Sequence, residues 1–300
     1  MAPLKTLLLL VLLTFAANIS HAHKHNANQA SDVKTVKITD TLYMLQVGGG
    51  NIGVSVGKDG LWIIDSDHAH ASEKLATALK DLSKAPAKIL VNTHWHYDHT
   101  GGNQAIGDSG TVIIAHDNVR QRLSSKQYIK AFDRHIDPSP AIALPIITYT
   151  DQTQVHLNGE PAHLIPVNPA HTDGDTFIHW PQSNVIHTGD LFFNGFYPFI
   201  DASSGGDIDG VIQAMDHIIK LSNTQTKIIP GHGPLASLDD LKAAQEMLKT
   251  ISTRIENARA AGKSLDEWKA GTPLSDLDKK WGKGFLNSDR FATIAWDTKH

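Results

Sequence analysis

Thr93-His94-Trp95-His96-Tyr97-Asp98-His99-Thr100-Gly101-Gly102 is the stretch on which the reading of this chain turns. It follows residues 87–93, a buried-strand pattern with Ile89-Leu90-Val91-Asn92 at its core. Side chains alternate along an extended strand, so His94 and His96 project to the same side and can bring two imidazoles to one ion. The glycine pair marks a turn, and Asp98 and His99 before it can address a second position. The competing account is a polar loop of solvated histidines. Donors further along the chain weigh against it.

Those donors recur at loop-like points after strand patterns. His171 lies in Pro169-Ala170-His171-Thr172-Asp173-Gly174, Asp190 in His187-Thr188-Gly189-Asp190, and His232 in Pro230-Gly231-His232-Gly233-Pro234. Each stands beside Gly or Pro and follows a β-rich run, as active-site loops do when strands gather distant sequence at one sheet edge. Taken singly, each reads as a turn residue. Together with the first cluster they make seven donors, a number that suits two metals sharing one bridging carboxylate.

Around this framework the chain alternates strand and helix patterns. Short strands are expected at 34–39, 42–47, 52–56 and 61–65, a helix at 72–82, and strands at 87–93 and 111–115. Residues 117–135 read as helical or irregular, and strands follow at 153–157, 163–167, 175–180 and 184–188. A helix at 207–221, a strand at 227–230, a long helix at 238–261 and one or two shorter helices complete the pattern. Two strand-rich halves interleaved with helices indicate an α/β sandwich. Gly48-Gly49-Gly50-Asn51-Ile52-Gly53 matches G-x-G-x-x-G, but a strand pattern follows it where a dinucleotide loop needs a helix. It is read as a hairpin turn.

Composition narrows the chemistry. The 300 residues include 18 His and no Cys, which removes thiolate nucleophiles, disulfides and Cys-ligated metals, so any metal must be held by imidazole and carboxylate. Hydrophobic residues at 41% and charged residues at 19% are ordinary for a globular chain. Net charge is −4 and there is no basic block, which argues against a nucleic-acid partner.

Residues 1–22 read as a cleavable signal peptide: Lys5 supplies the positive charge, residues 6–17 the apolar run, and Ser20-His21-Ala22 the small residues before cleavage. A run of that length is too short to cross a bilayer of roughly 30 Å at about 1.5 Å per residue. Residues 23–33 are expected as a flexible, His-containing leader, 34–262 as the catalytic domain, and 263–300 as a helical tail packed on it. Periplasmic or secreted localisation follows, with no membrane partner after cleavage and with oligomeric state left open.

The motif order, with Asp65 after a strand, then His-x-His-x-Asp-His, then His, Asp and His, resembles the metallo-β-lactamase-fold superfamily of hydrolases over roughly residues 40–240. The resemblance implies an αββα sandwich with metals at one sheet edge. It assigns His94, His96 and His171 to a first metal, Asp98, His99 and His232 to a second, and Asp190 to a bridge. It also implies zinc, two per chain, with iron or manganese as the alternatives. Asp190 stands where one lactamase subclass has Cys, and the full seven-ligand set is more similar to glyoxalase II, lactonases and related esterases.

Imidazole and carboxylate ligands leave an incomplete shell in which a metal-bound hydroxide can form near neutral pH. The expected reaction is hydrolysis of a C(=O)–O or C(=O)–N bond in a small, cyclic ester or amide of the lactone or β-lactam type. Asp98 is the expected catalytic residue, orienting the nucleophile. Asp65 is expected to support a ligand from behind, an ordinary strand-end carboxylate being the alternative.

Phe192-Phe193-Asn194-Gly195-Phe196-Tyr197-Pro198-Phe199 follows Asp190 and either packs in the core or lines a pocket mouth, with Asn194 and Tyr197 as candidate substrate contacts. Alternative functions are a β-lactamase proper, a glyoxalase II-like thioesterase, an iron persulfide dioxygenase, or a non-catalytic metal-binding or redox-accessory protein. No Arg/Lys cluster resembling glyoxalase II's glutathione site is present.

Overall fold

Period-two alternation on two sheets builds the architecture. The computed structural model describes residues 33–300; the expected signal peptide, and the expected leader up to Asp32, lie outside the described residues. In chain order the elements are β1 (Lys34–Lys37), β2 (Leu42–Gln46), β3 (Ile52–Gly57), β4 (Gly60–Ile64), α1 (Ser72–Leu82) and β5 (Ala87–Val91). Two short helices, α2 (Tyr97–Thr100) and α3 (Asn103–Gly107), precede β6 (Val112–His116), α4 (Asp117–Leu123), β7 (Gln127–Ile129), β8 (Arg134–Ile136) and β9 (Ile147–Tyr149). The second half holds β10 (Thr153–Leu157), β11 (Glu160–Pro166), β12 (Thr176–Trp180), β13 (Val185–His187), α5 (Ile208–Leu221), β14 (Lys227–Ile229) and α6 (Leu238–Ala260). The tail carries α7 (Leu265–Ala270), α8 (Asp278–Trp281) and α9 (Ser288–Asp297).

Seven strands form one sheet in the order β1-β2-β3-β4-β5-β6-β9, and five form a second in the order β10-β11-β12-β13-β14. Leu42, Met44, Trp62 and Ile64 on the first sheet meet Ala162, Leu164, Ile178 and Trp180 on the second. The Trp62 and Trp180 rings, 5.2 Å apart, join the sheets. The intervening residues Leu45, Leu61 and Ile63 turn the other way, onto Leu75, Ala78 and Leu79 of α1. On the far side Ile165, Phe177 and Ile186 meet α5 and α6, whose Leu241, Ala244, Leu248, Ile251 and Ile255 recur at three- and four-residue spacing. The layers are therefore helix, sheet, sheet, helix. Each fully buried large side chain contributes about 1.5–3 kcal/mol.

Helix starts follow local chemistry. Asp207 accepts from Asp209 N and Gly210 N at the start of α5, and Ser237 with Asp240 makes a capping box for α6. Gly48–Gly50 is the turn between the antiparallel strands β2 and β3, as read from the sequence.

Three details differ from expectation. Residues 117–135 hold one helix and then a β7–β8 hairpin, closed by the Tyr128 and His135 rings stacking 4.6 Å apart. With three residues per strand, its alternation is too short to read. β9, parallel to β6, was not expected, because Ile146 and Ile147 are 69% and 51% exposed and show no buried periodicity. The tail has three helices, with Trp268, Leu274, Trp281, Leu286 and Phe291 in the core cluster of α5 and α6.

Candidate metal centre

All seven expected donors fall in loops or single helical turns that follow strands. His94 and His96 lie beyond β5, which ends at Val91, so they are loop residues where strand-end residues were expected. The ladder stops there because Thr93 is diverted: its N–H and hydroxyl both donate to the Asp65 carboxylate at 2.7 Å. His96 caps α2, and Asp98 and His99 stand in that single turn.

The donors form two groups. His94, His96, His171 and Asp190 each place a ligand atom within 4.8 Å of the others, and Asp98, His99 and His232 do the same. In the first group His96 Nδ1 lies 2.9 Å from His171 Nε2, and Asp190 Oδ2 lies 3.7 Å from His94 Nε2 and 3.5 Å from His171 Nε2. In the second, Asp98 Oδ2 is 3.2 Å from His232 Nε2, and Asp190 Oδ1 is 3.0 Å from His99 Nε2 and 3.4 Å from His232 Nε2. Asp190 thus turns one oxygen to each group.

Outer hydrogen bonds fix which nitrogen faces inward. His171 Nδ1 donates to Phe199 O at 2.8 Å, His99 Nδ1 to Asp65 Oδ2 at 2.7 Å, and His94 Nδ1 to Thr93 Oγ1 at 3.0 Å, leaving their Nε2 lone pairs free. His96 is reversed. Its Nε2 donates to Asp201 Oδ2 at 3.1 Å, so Nδ1 faces the group.

Two observations test whether a metal fits. His94 Nε2 and Asp190 Oδ1 are buried without a well-formed hydrogen bond, which costs about 1–3 kcal/mol unless another partner is supplied. The donor atoms of each group converge from different parts of the chain to within 4.8 Å of one another. The nitrogen and carboxylate set suits divalent ions of the zinc type. The residues fit two such ions.

Charge divides between the groups. Burial pushes His94 well below the ordinary imidazole range and His171 down to about 4, outweighing Asp190. Burial acts the same way on His232 but is outweighed by Asp190 and Asp98, which lift it to about 9; His99 is likewise raised, by Asp190 and Asp65. Asp190 itself is held well below the usual carboxylate range, because His99 and His232 outweigh its burial.

The glycine turn is part of the site. Gly50 N donates to Asp98 O at 3.1 Å and Asn51 N to Gly231 O at 2.7 Å, so the turn docks on the two segments that carry the second donor group. A Cβ on Gly50 would sit 2.3 Å from His99 Cε1, an approach only glycine allows. Asp65 and Asp67 both adopt positive φ, 65° and 59°. Asp67 anchors the turn by accepting from Gly48 N at 3.0 Å.

A cavity of about 370 Å³ opens beside the donors, bordered by His68, Tyr97, Phe193, Phe196, Phe199 and Phe285 among others. Asn194 and Tyr197, expected as substrate contacts, are not among its lining residues. Tyr197 is fully buried, stacked 4.6 Å from Phe291 with its hydroxyl donating to Asp278, whereas Phe193, Phe196 and Phe199 of the same segment line the cavity. Asn194 Nδ2 donates to Pro234 O and braces the His232 loop. Asp201 and His68 were not singled out from the sequence. Asp201-Ala202-Ser203 reads as a capped turn, which locates a loop but does not aim its carboxylate at a histidine 105 residues away.

A family profile described as the metallo-beta-lactamase superfamily matches residues 45–233. Hydroxyacylglutathione hydrolase of Nitrosococcus oceani is 26% identical over 144 residues, covering 48% of this chain and 47% of the relative. A beta-lactamase-like protein 2 homolog of Caenorhabditis elegans is 24% identical, covering 68% and 61%. The chain therefore spans less than two thirds of either relative. Among solved structures, a metallo-beta-lactamase from Pontibacter korlensis has TM-score 0.58 at 19% identity, covering 72% of this chain and 99% of that one. A stereoselective inverting sec-alkylsulfatase from Pseudomonas sp. has TM-score 0.63 at 18% identity, covering 88% and 50%. These likenesses show the fold.

Proposed function

The chain belongs to the metallo-beta-lactamase superfamily, and on that premise we propose that it is an exported hydrolase whose two zinc ions serve the cleavage of a small ester or lactone. It is a metal-dependent hydrolase of that superfamily with a His/Asp metal-binding cluster. The observation that carries the dinuclear reading is Asp190, with one oxygen toward each donor group. Bound there, divalent ions would supply a water acidified to near neutrality and polarisation of an acyl oxygen.

The chain's own residues do the positioning. His94, His96 and His171 would hold one ion, and Asp98, His99 and His232 a second, with Asp190 offering an oxygen to each group. The outer partners Asp65, Thr93, Asp201 and Phe199 O keep the imidazole nitrogens aimed inward. Asp98 borders the cavity and orients the attacking water. Water adds to the carbonyl carbon, the C–O bond breaks, and the proton passes to the departing alkoxide. Export rests on the signal-peptide pattern of residues 1–22.

The test is a panel of lactones, aryl esters, nitrocefin and S-lactoylglutathione assayed on zinc-loaded protein with and without chelator. Chelator-sensitive turnover of esters or lactones is expected. No turnover of any member would contradict the reading.

A further inference from the structure

We propose that the cavity beside the metal centre takes an uncharged ester or lactone bearing an apolar chain of several carbons, held against a phenylalanine wall that the C-terminal segment completes with Phe285. The inference rests on the hydrolase reading only for placing the scissile bond at the metals.

The wall begins at the ligands. The Phe193 ring stacks on His232 at 4.8 Å, and the Phe199 ring lies 5.6 Å from His96 and 5.8 Å from His171. A group attached to an acyl carbon at the metals therefore meets aromatic carbon on leaving either donor cluster. Phe132 packs on Phe199 at 4.7 Å and Phe196 on Phe193 at 5.7 Å, extending the surface outward.

Phe285, between α8 and α9, closes the set from a part of the chain beyond the residues matched by the family profile. Its ring lies 6.3–6.4 Å from those of Phe132, Phe193 and Phe196, yet it is 56% exposed. Its neighbour Gly284 runs flush with the wall: a Cβ there would lie 2.7 Å from the Phe196 ring. The tail thus holds a large apolar side chain at the cavity mouth, where a ligand would remove it from water.

Charge points the same way. Among the described residues that line the cavity, none is Lys or Arg, and Asp98 and Asp190 are acidic. The guanidinium groups of Arg134 and Arg290 lie over Tyr97 and Phe132, 3.7 Å and 4.6 Å from the ring centroids, and do not line it. A carboxylate at the far end of the substrate's chain, away from the metals, would lose water with no Lys or Arg among the lining residues to pair with it.

Two measurements on zinc-loaded full-length protein, wild type, Phe285→Ala and Phe285→Leu, test this. Calorimetric binding of butyrate, hexanoate and octanoate should tighten by roughly twofold to fourfold per added methylene in the wild type. The gradient should fall in Phe285→Ala and largely return in Phe285→Leu. kcat/KM for the p-nitrophenyl esters of the same acids should show the same gradient, with p-nitrophenyl hemisuccinate at least about tenfold below the butyrate of equal chain length. Ester turnover without dependence on chain length would overturn the apolar site and leave the hydrolase reading standing. A chain-length gradient in binding without turnover would support the site and contradict the hydrolase.

Discussion

Asp201 Oδ2 accepts a hydrogen bond from His96 Nε2 at 3.1 Å, and this bond sets His96 apart from the other histidines of its group by turning Nδ1 inward. Asp201 is itself fixed, accepting from Ser203 N and from the Ser204 hydroxyl. Losing such an outer partner typically costs 10–100-fold in metal affinity. Asp201→Ala should weaken zinc binding at the first group by that factor in a chelator competition, and Asp201→Asn, which keeps an acceptor oxygen, should recover most of it. Equal affinities in all three proteins would remove Asp201 from the site.

Metal uptake should depend on pH differently at the two groups. In the metal-stripped protein His232, lifted to about 9 chiefly by Asp190 against its burial, carries a proton at neutral pH. His99, likewise raised by Asp190 and Asp65 against its burial, carries one too; a metal must displace both protons, so affinity at the second group should rise by more than tenfold and up to about a hundredfold per pH unit from 6.5 upward. His171, near 4, is already neutral in this range, so affinity at the first group should stay nearly flat. Titrating zinc into stripped protein across this range checks the sign; parallel slopes would contradict the assignment.

Gly50→Ala should disturb the second group selectively. The added methyl would fall 2.3 Å from His99 Cε1, and His99 is locked from behind by Asp65, so the ring cannot retreat without losing that hydrogen bond. The variant should keep its circular dichroism spectrum and lose about one zinc per chain. Retention of full metal content would show that the turn can yield.

Asp98→Asn keeps the shape of a side chain 22% exposed at the cavity but weakens its attraction for the second metal and its acceptor strength toward water. Turnover should fall at least about a hundredfold. Unchanged kcat would exclude Asp98 from the reaction.

Much of this was legible in the sequence, for physical reasons that differ by element. α1 could be bounded from Leu75, Ala78, Leu79 and Leu82, because burial on one face leaves a periodic record. Four donors in six residues identified the metal loop, since packing alone has no use for that density. Hydrogen bonds leave no such record, so Asp201 was invisible until the fold carried it to His96. Tyr197 could not be assigned to core or pocket from the sequence, because adjacent aromatics in an irregular segment do not reveal which of them faces the core. The Gly48–Gly50 turn was recognised as a turn, but its contact with His99 depends on how sheet and loop approach each other in space.

The central claim is that the two donor groups hold two ions joined by Asp190. Elemental analysis of the purified full chain, read as metal per protein, tests it most directly. The proposed function predicts two zinc ions per chain. A single iron per chain with no zinc, or no bound metal after zinc loading, would contradict it.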